Sequence, residues 1–337
     1  MPVNLDLCRV TPSWQALTNS VDGGGASRLL VTSEAVPGER MESWRAQPVV
    51  FWTFLLPGAL WLLGFFLVPL ALVWVLSFGE QSGPVDILIT WTLDNYVRAL
   101  DPLYLGLFWK SVWIAALATA ITLVIGLPVA LAVSFAPPRA KPLLLILVIL
   151  PFWTNLLIRT YAMIAVLRSR GYVNLGLEEL WRLASDVAGG LFGQPLPPFT
   201  PLPLLYNDTA VVAGIVYVYL PFMVLPLYAT LERLDRSYLE ASLDLGAGQL
   251  RTFFSIVVPL ARPGIVSGII LVFIPALGTF LISDLLGGPG SQLIGNVIER
   301  QFKSANDWPL GAAMSFILMY LAFAILALRA MLAQRQP

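Results

Sequence analysis

The chain has 337 residues, of which 58% are hydrophobic and 12% are charged, and its mean hydropathy is +0.78. Soluble domains are less apolar and more charged, so this composition predicts an integral membrane protein. The charges of the 20 basic and 20 acidic side chains cancel, which argues against nucleic-acid binding. The chain has one cysteine (Cys8) and no histidine, which argues against disulfide frameworks, histidine-based catalysis and common zinc sites.

Residues 1–50 form the first predicted segment, a polar tail. A Gly-Gly-Gly run and scattered Ser, Pro and charged residues are typical of disorder. The apolar run that follows is too long for a signal peptide. Its Pro57 and Pro69 predict a tilted or kinked membrane span.

A membrane-spanning helix needs about 20 apolar residues, and six runs of the chain come close to or exceed that length. We therefore predict an all-α membrane domain over residues 51–332 with six transmembrane helices. The predicted helices cover residues 51–78, 111–135, 143–166, 209–229, 264–286 and 310–328.

The basic residues predict how these helices are oriented. An even number of spans places both termini on one side, and that side carries 12 Lys and Arg residues against 7 on the other. Because basic loops favour the cytoplasm, we expect cytoplasmic N- and C-termini. Residues 231–262 then form a cytoplasmic loop.

Two loops on the predicted outer side contain helical patterns. In the loop 167–208, Asn174 is a possible N-cap of an amphipathic helix, and the proline-rich stretch 195–203 that follows should be extended. The loop 287–309 has an apolar face and a charged face. Either these helices rest on lipid headgroups or they form a platform for an external partner. The apolar positions are Leu175, Leu177, Leu180, Trp181 and Ala184 in the first loop and Leu293, Ile294, Val297, Ile298 and Phe302 in the second.

Residues 237–263 form a polar segment between two apolar runs. Ser237 and Glu240 have the spacing of a capping box, and Gly246 is suited to end the first short helix in a left-handed conformation. A second helical stretch begins at Gly248 and continues to Pro259. Helices of two turns are marginal alone, so this pair needs a supporting surface, either the protein's own inner loops or a separate subunit.

The spacing within this segment resembles the EAA loop of ABC importer permeases, Glu-Ala-Ala-x3-Gly-x9-Ile-x-Leu-Pro. The matching residues are Glu240, Ala241, Gly246, Ile256 and Pro259, and Ser242 and Val258 are conservative departures. We call residues 237–263 the EAA segment. The resemblance implies a type I ABC importer permease, in which this loop sits in a cleft of a separate ATPase, Glu240 contacts a basic or polar group there, and Gly246 sets the angle between the two helices.

Further stretches resemble the spermidine/putrescine permease subunits of that superfamily, and the similarity covers roughly residues 50–332. The resemblance implies a multi-pass protein of the bacterial inner membrane that works with a second permease subunit, two copies of the ATPase and an extracytoplasmic substrate-binding protein. A permease for another small solute, such as an opine, sulfate or ferric iron, is the alternative. The matching stretches are 151–155, 220–228, 273–280, 284–288, 294–296 and 306–309.

For a polyamine pathway, polar groups within the spans are the candidates, because charge in a membrane is costly and usually faces a cavity or a partner. Asp284 would meet an ammonium group and tyrosine rings would add cation–π contacts, whereas Arg159 would repel a cation. The structural alternative is that Arg159 pairs with Asp284 or with helix-end carbonyls and that the tyrosines only pack. The candidates are Asn155, Arg159, Tyr217, Tyr219 and Asp284.

The chain shows no nucleotide site of its own. Its glycine-rich run at 287–290 lacks the lysine and the preceding strand of a phosphate-binding loop, so we expect no bound cofactor and ATP used by the partner ATPase. An enzyme is not expected, since an intramembrane hydrolase would need a Ser/His or paired-Asp constellation. A channel or secondary transporter that needs no ATPase remains the alternative from another class.

Overall fold

The computed structural model describes residues 48–83, 86–192, 196–235 and 237–333, so most of the predicted tail 1–50 lies outside the described residues. The chain divides into two units, Met1–Leu62 and Leu63–Pro337. The described part of the first unit is helix α1 (Pro48–Leu62). The second unit contains α2 (Val68–Leu76), β1 (Gly79–Gln81), β2 (Ile87–Ile89), α3 (Asp94–Ala99), α4 (Pro102–Phe135), α5 (Lys141–Ile149), α6 (Leu156–Leu167), α7 (Tyr172–Phe192), α8 (Asp208–Leu231), α9 (Ser237–Asp244), α10 (Gln249–Thr252), α11 (Val258–Leu260), α12 (Arg262–Leu277), α13 (Leu281–Leu286), α14 (Ile294–Lys303) and α15 (Trp308–Ala333).

Among the described residues, four helical segments are long and apolar enough to cross a membrane, and the number rises to six if each of two bent helix pairs counts as one span. The four are Phe51–Leu76, Pro102–Phe135, Asp208–Leu231 and Trp308–Met331, close to the predicted first, second, fourth and sixth spans. The bent pairs are Lys141–Trp153 with Leu156–Gly190, at 94°, and Gln249–Leu260 with Arg262–Leu277, at 67°.

The prediction of continuous helices over 143–166 and 264–286 is therefore wrong. In the first case the helix tightens into a 3₁₀ turn at Leu150–Trp153, which contains Pro151, and restarts where Asn155 caps α6. In the second case α12 ends at Leu277 and α13 begins at Leu281. Both breaks leave backbone groups to be satisfied by other parts of the chain.

Proline also explains two π-helical turns. The turns Leu63–Leu67 and Phe253–Val257 each end two residues before a proline, Pro69 and Pro259. Proline cannot donate a backbone hydrogen bond, and its ring excludes the carbonyl four residues earlier, so the preceding turn widens. In the first predicted span, the helix thus widens into a π turn ahead of Pro69, while Pro57 lies inside α1.

The core of the second unit lies where α4, α8 and α12 pack against one another. Met223 of α8 is fully buried between two glycines. A Cβ at Gly126 would lie 2.9 Å from the Met223 Cγ, and one at Gly268 would lie 2.5 Å from its Sδ. Small residues at these positions let the three helices approach closely, as is common between membrane helices.

The end of the bundle away from the EAA segment contains the two amphipathic helices and a short hairpin. The apolar face of α14 is buried, with Ile294 and Val297 packed beside Leu310 and Met314, so it does not rest on lipid. The all-α prediction missed the antiparallel β1–β2 pair, in which Gly79 faces Ile89. Three-residue strands carry too little periodicity to be recognised in a sequence.

Helix α7 is present as predicted, but Asn174 is not its N-cap. Asn174 lies inside the helix and is buried, and its side chain bonds the Leu202 backbone in both directions, through Oδ1 to the amide (2.9 Å) and Nδ2 to the carbonyl (3.1 Å). The Trp181 indole donates to the Pro197 carbonyl at 2.8 Å. These bonds fasten the proline-rich stretch along α7.

Candidate functional site

The EAA segment folds as two short helices joined at Gly246. Gly246 has φ of +80°, and its amide donates to the Leu243 carbonyl at 2.9 Å, while the Ala247 amide donates to the Ser242 carbonyl at 3.1 Å. This pair of bonds is a Schellman motif, which satisfies the last carbonyls of α9. The predicted left-handed glycine cap is confirmed.

The start of α9 differs from the predicted capping box. The helix begins at Ser237, so Ser237 is its first residue and not its N-cap. The Oδ1 of Asp235 accepts the Ser237 amide at 3.0 Å, and this backbone hydrogen bond lowers the pKa of Asp235. Glu240 is exposed and therefore accessible to another subunit.

The two helices are braced against each other and anchored to the bundle. The hydroxyls of Ser242 and Thr252 are 2.9 Å apart, and Thr252 is buried. Below them, Val257 and Ala261 are buried against the end of α8, where Leu231 is also buried. The serine that replaces the second alanine of the EAA pattern thus bonds across the hinge. Ile256 and Pro259 are half-buried at the base.

The outward surface of the EAA segment is unusually apolar. Leu245 is 89% exposed, Leu250 is 77% exposed and Phe254 is 66% exposed. Tyr238 and Leu243 are exposed as well. Several exposed apolar side chains on one ordered segment outside the predicted spans are typical of an interaction site.

Within the bundle, Arg159 is the most unusual side chain among the predicted pathway residues. It lies on α6, is 8% exposed, and its Nε and Nη1 have no hydrogen-bond partner within the described part of the chain. The predicted pairing with Asp284 is absent there, and Asp284 is exposed on α13. A buried charge without a partner carries a large desolvation cost.

The structure brings together only some of the predicted pathway residues. Tyr219 lies close enough to Arg159 and to Thr279 for its hydroxyl to interact with both. Tyr217 is two residues away on α8, roughly 200° around the helix, and instead lines a groove of about 350 Å³ between α4, α5 and α8. Asn155 is exposed, and its Oδ1 accepts the Leu157 amide at 2.8 Å, so it caps α6.

A polar network that the sequence analysis missed holds the break between α12 and α13. The buried Asn296 of α14 donates to the Phe280 carbonyl at 3.1 Å and accepts from the Ser283 hydroxyl at 2.6 Å. Gly295 packs so closely that a Cβ there would lie 2.8 Å from the Thr279 carbonyl oxygen. Asparagine within an apolar helical face was the available signal, since a buried amide must be bonded.

These features define a class of protein: a helical membrane permease with an exposed EAA segment. The family model described as "Binding-protein-dependent transport system inner membrane component" matches residues 103–336. The chain belongs to this family. Its homologues are transport permease subunits of inner membranes.

Several curated relatives share a substrate name. The chain is 43% identical over 258 residues to the spermidine/putrescine transport system permease protein PotB of Escherichia coli, a match that covers 77% of this chain and 88% of that protein. It is 41% identical to the protein of the same name from Haemophilus influenzae, covering 76% and 84%. It is 31% identical to the inner membrane ABC transporter permease protein YdcU of E. coli, covering 75% and 82%.

Solved structures share the fold. A bacterial ABC transporter that imports the acidic polysaccharide alginate matches with a TM-score of 0.63 at 14% identity, covering 88% of this chain and 99% of that one. An alginate transporter in complex with its alginate pentasaccharide-bound periplasmic protein matches with a TM-score of 0.61 at 15% identity, covering 86% and 96%. The type I permease fold expected from the sequence is thereby confirmed.

Proposed function

We propose that this chain is the permease subunit of an ATP-driven importer of polyamines such as spermidine and putrescine, and that its EAA segment docks a separate ATPase. The exposed apolar surface of the EAA segment carries this proposal. Five apolar side chains project from two short helices that are fixed at their base, a form suited to insertion into a groove. The 43% identity to spermidine/putrescine permeases supports the polyamine cargo.

The proposed assembly contains a second permease subunit, two ATPase copies and an extracytoplasmic binding protein in a bacterial inner membrane. The EAA segment faces the cytoplasm, and both termini lie on the same side. ATP-driven closure of the ATPases moves the coupling loops together and shifts the permease between inward-open and outward-open states. The loop acts through Glu240, Ala241, Ser242, Gly246, Ile256 and Pro259, where Glu240 contacts a polar or basic group of the ATPase.

Leu245→Glu tests the docking surface. Because Leu245 is 89% exposed, the substitution should leave the fold intact, but it places a charge in an apolar groove. We expect the ATPase to be lost when the permease is purified from membranes, and Glu240→Lys to uncouple hydrolysis from uptake or weaken ATPase retention. Leu93→Glu is the matched control, because Leu93 is 64% exposed at the other end of the bundle. Normal ATPase retention and uptake with Leu245→Glu would overturn the docking role.

For the cargo, we propose that Asp284 meets an ammonium group near one end of the pathway and that Asn155 and Tyr219 lie along it, whereas Tyr217 faces the separate groove between α4, α5 and α8. Arg159 repels the cation, so that cargo does not rest in the bundle. The measurement is uptake of labelled spermidine by cells lacking other polyamine importers. Asp284→Asn should raise the spermidine concentration needed for half-maximal uptake, with the amount of protein in the membrane unchanged.

One observation favours a second candidate, an importer of a small anion such as sulfate. Two donors of the buried Arg159 guanidinium have no hydrogen-bond partner within the described part of the chain, and an anion would accept hydrogen bonds from them. Competition between solutes separates the two candidates. Excess unlabelled putrescine abolishes uptake of labelled spermidine by a polyamine importer, whereas excess unlabelled sulfate abolishes uptake of labelled sulfate by an anion importer.

A further inference from the structure

An ion pair joins the chain just before the EAA segment to α5, the first helix of the bent pair Lys141–Trp153 and Leu156–Gly190. The Lys141 Nζ lies 2.6 and 2.8 Å from the two carboxylate oxygens of Glu232. The side chains are 17% and 38% exposed, so the pair is partly shielded from water. Lys141 is the first residue of α5, and Glu232 directly follows the last residue of α8, five positions before α9.

Each charge is unfavourable for its own helix. A helix N-terminus carries partial positive charge and its C-terminus partial negative charge. Lys141 sits at the N-terminus of α5 and Glu232 at the C-terminus of α8. Neither residue therefore stabilises the helix it belongs to, and the favourable interaction of each is with the other.

The pair holds a part of the chain without fully buried residues, which also packs on the bundle through Val148 and through Phe152, whose ring lies 5.3 Å from that of Phe222. No residue of α5 or of the 3₁₀ turn Leu150–Trp153 is buried. Beyond the turn, the chain bends by 94° into the segment Leu156–Gly190, which begins with α6 and its Arg159. A helix with few buried contacts can move as a unit if one firm contact pulls it. Lys141 provides such a contact on α5.

We propose that the Lys141–Glu232 pair is a strut that transmits movement of the EAA segment to α5 and, through the bend, to α6. This inference rests on the proposed function, since the movement begins when the ATPases act on the EAA segment. Lys141 and Glu232 are positioning residues: they touch neither cargo nor ATPase, and they set how far the bent span follows the loop.

The test uses the whole importer, with its ATPase, second permease and binding protein, reconstituted in liposomes. The readout is spermidine taken up per ATP hydrolysed, together with the amount of ATPase retained. Lys141→Glu or Glu232→Lys should lower this ratio by up to about fivefold, the upper end of the range for a partly exposed ion pair, while ATPase retention stays normal. The double charge swap should restore the ratio to within about twofold, because it re-forms the pair and places each charge at the favourable helix end.

The Lys110–Asp208 pair is the matched control. It joins α4 to α8 at the other end of the bundle, at 3.0 Å, with side chains 26% and 51% exposed. Lys110→Glu should leave the uptake-to-hydrolysis ratio unchanged. If Lys141→Glu prevents assembly, Lys141→Met with Glu232→Gln provides the uncharged comparison, and the ratio should still fall.

Two results would overturn the strut. One is a normal ratio in the Lys141 and Glu232 variants, and the other is a charge swap that recovers nothing. The result for the proposed function is separate, because Leu245→Glu tests ATPase retention without touching the pair. A complex that loses ATPase with Leu245→Glu but keeps a normal ratio with Lys141→Glu contradicts the strut alone.

Discussion

Gly246→Ala should weaken ATPase docking through the backbone alone. Gly246 has φ of +80°, and a Cβ built there meets nothing within 4 Å, so alanine would add no clash with other residues. An L-residue in the left-handed region costs about 1–2 kcal/mol. The ratio of the hinged form of the EAA segment to other loop forms would then fall about 5–30-fold, which raises the apparent Kd for the ATPase by up to the same factor.

The assay is titration of purified ATPase against the permease in detergent or nanodiscs. Gly248→Ser is the control, because Gly248 has equally open surroundings but φ of −70°, and serine is a favourable N-cap for α10. Gly246→Asn should fall between wild type and alanine, since asparagine tolerates the left-handed region better. Equal affinities for Gly246→Ala and Gly248→Ser would refute the argument that the hinge requires positive φ.

Three other substitutions test other features. Gly295→Ala should destabilise the protein by about 1–3 kcal/mol, because the new Cβ would lie 2.8 Å from the Thr279 carbonyl oxygen. Gly290→Ala is the control, because a Cβ at Gly290 has open space. Thermal unfolding in detergent compares the two variants, and equal unfolding midpoints would contradict the close packing at Gly295. Arg159→Met should raise the unfolding free energy by about 1–4 kcal/mol while spermidine uptake changes, and a large loss of stability would mean that the charge is compensated. Asp235→Ala should increase hydrogen exchange at the start of α9, whereas Asp235→Asn should not. Because the pKa of Asp235 is lowered, its capping is present above the ordinary carboxyl pKa and is lost only as the pH falls through the lower folded value; protection already lost near pH 5 would contradict this sign.

Much of the architecture was predictable because membrane spans and caps are encoded locally. Four of the six predicted spans are single helical segments, and Gly246 ends α9 in the left-handed conformation that its position suggested. The predicted capping box is wrong, because the residue that caps the start of α9 is Asp235, two residues before Ser237, whose amide it accepts. Competing caps two residues apart cannot be separated by sequence pattern alone.

The candidate pathway was less predictable, because hydrophobicity does not report where a long helix breaks. Apolar residues continue through the bend at Thr154 and through the gap between α12 and α13 at Gly278, so hydrophobicity does not mark either helix break. Hydrophobicity also does not report which side of a helix faces the pathway. Tyr217 and Tyr219 are equivalent by composition, yet α8 directs them to different sides.

The sequence by itself determined that this chain enters a membrane, that residues 237–263 form a hinged helical segment, and that the segment matches the EAA loop of importer permeases. These properties depend on residue type and short spacing, which act through local partition and capping energies. Only the tertiary structure decided that Arg159 is buried with two donors that have no partner among the described residues, that Asn296 holds a helix break, and that Lys141 meets Glu232 across 91 positions of the chain. Such contacts depend on how whole helices pack, and packing is a property of the assembled bundle.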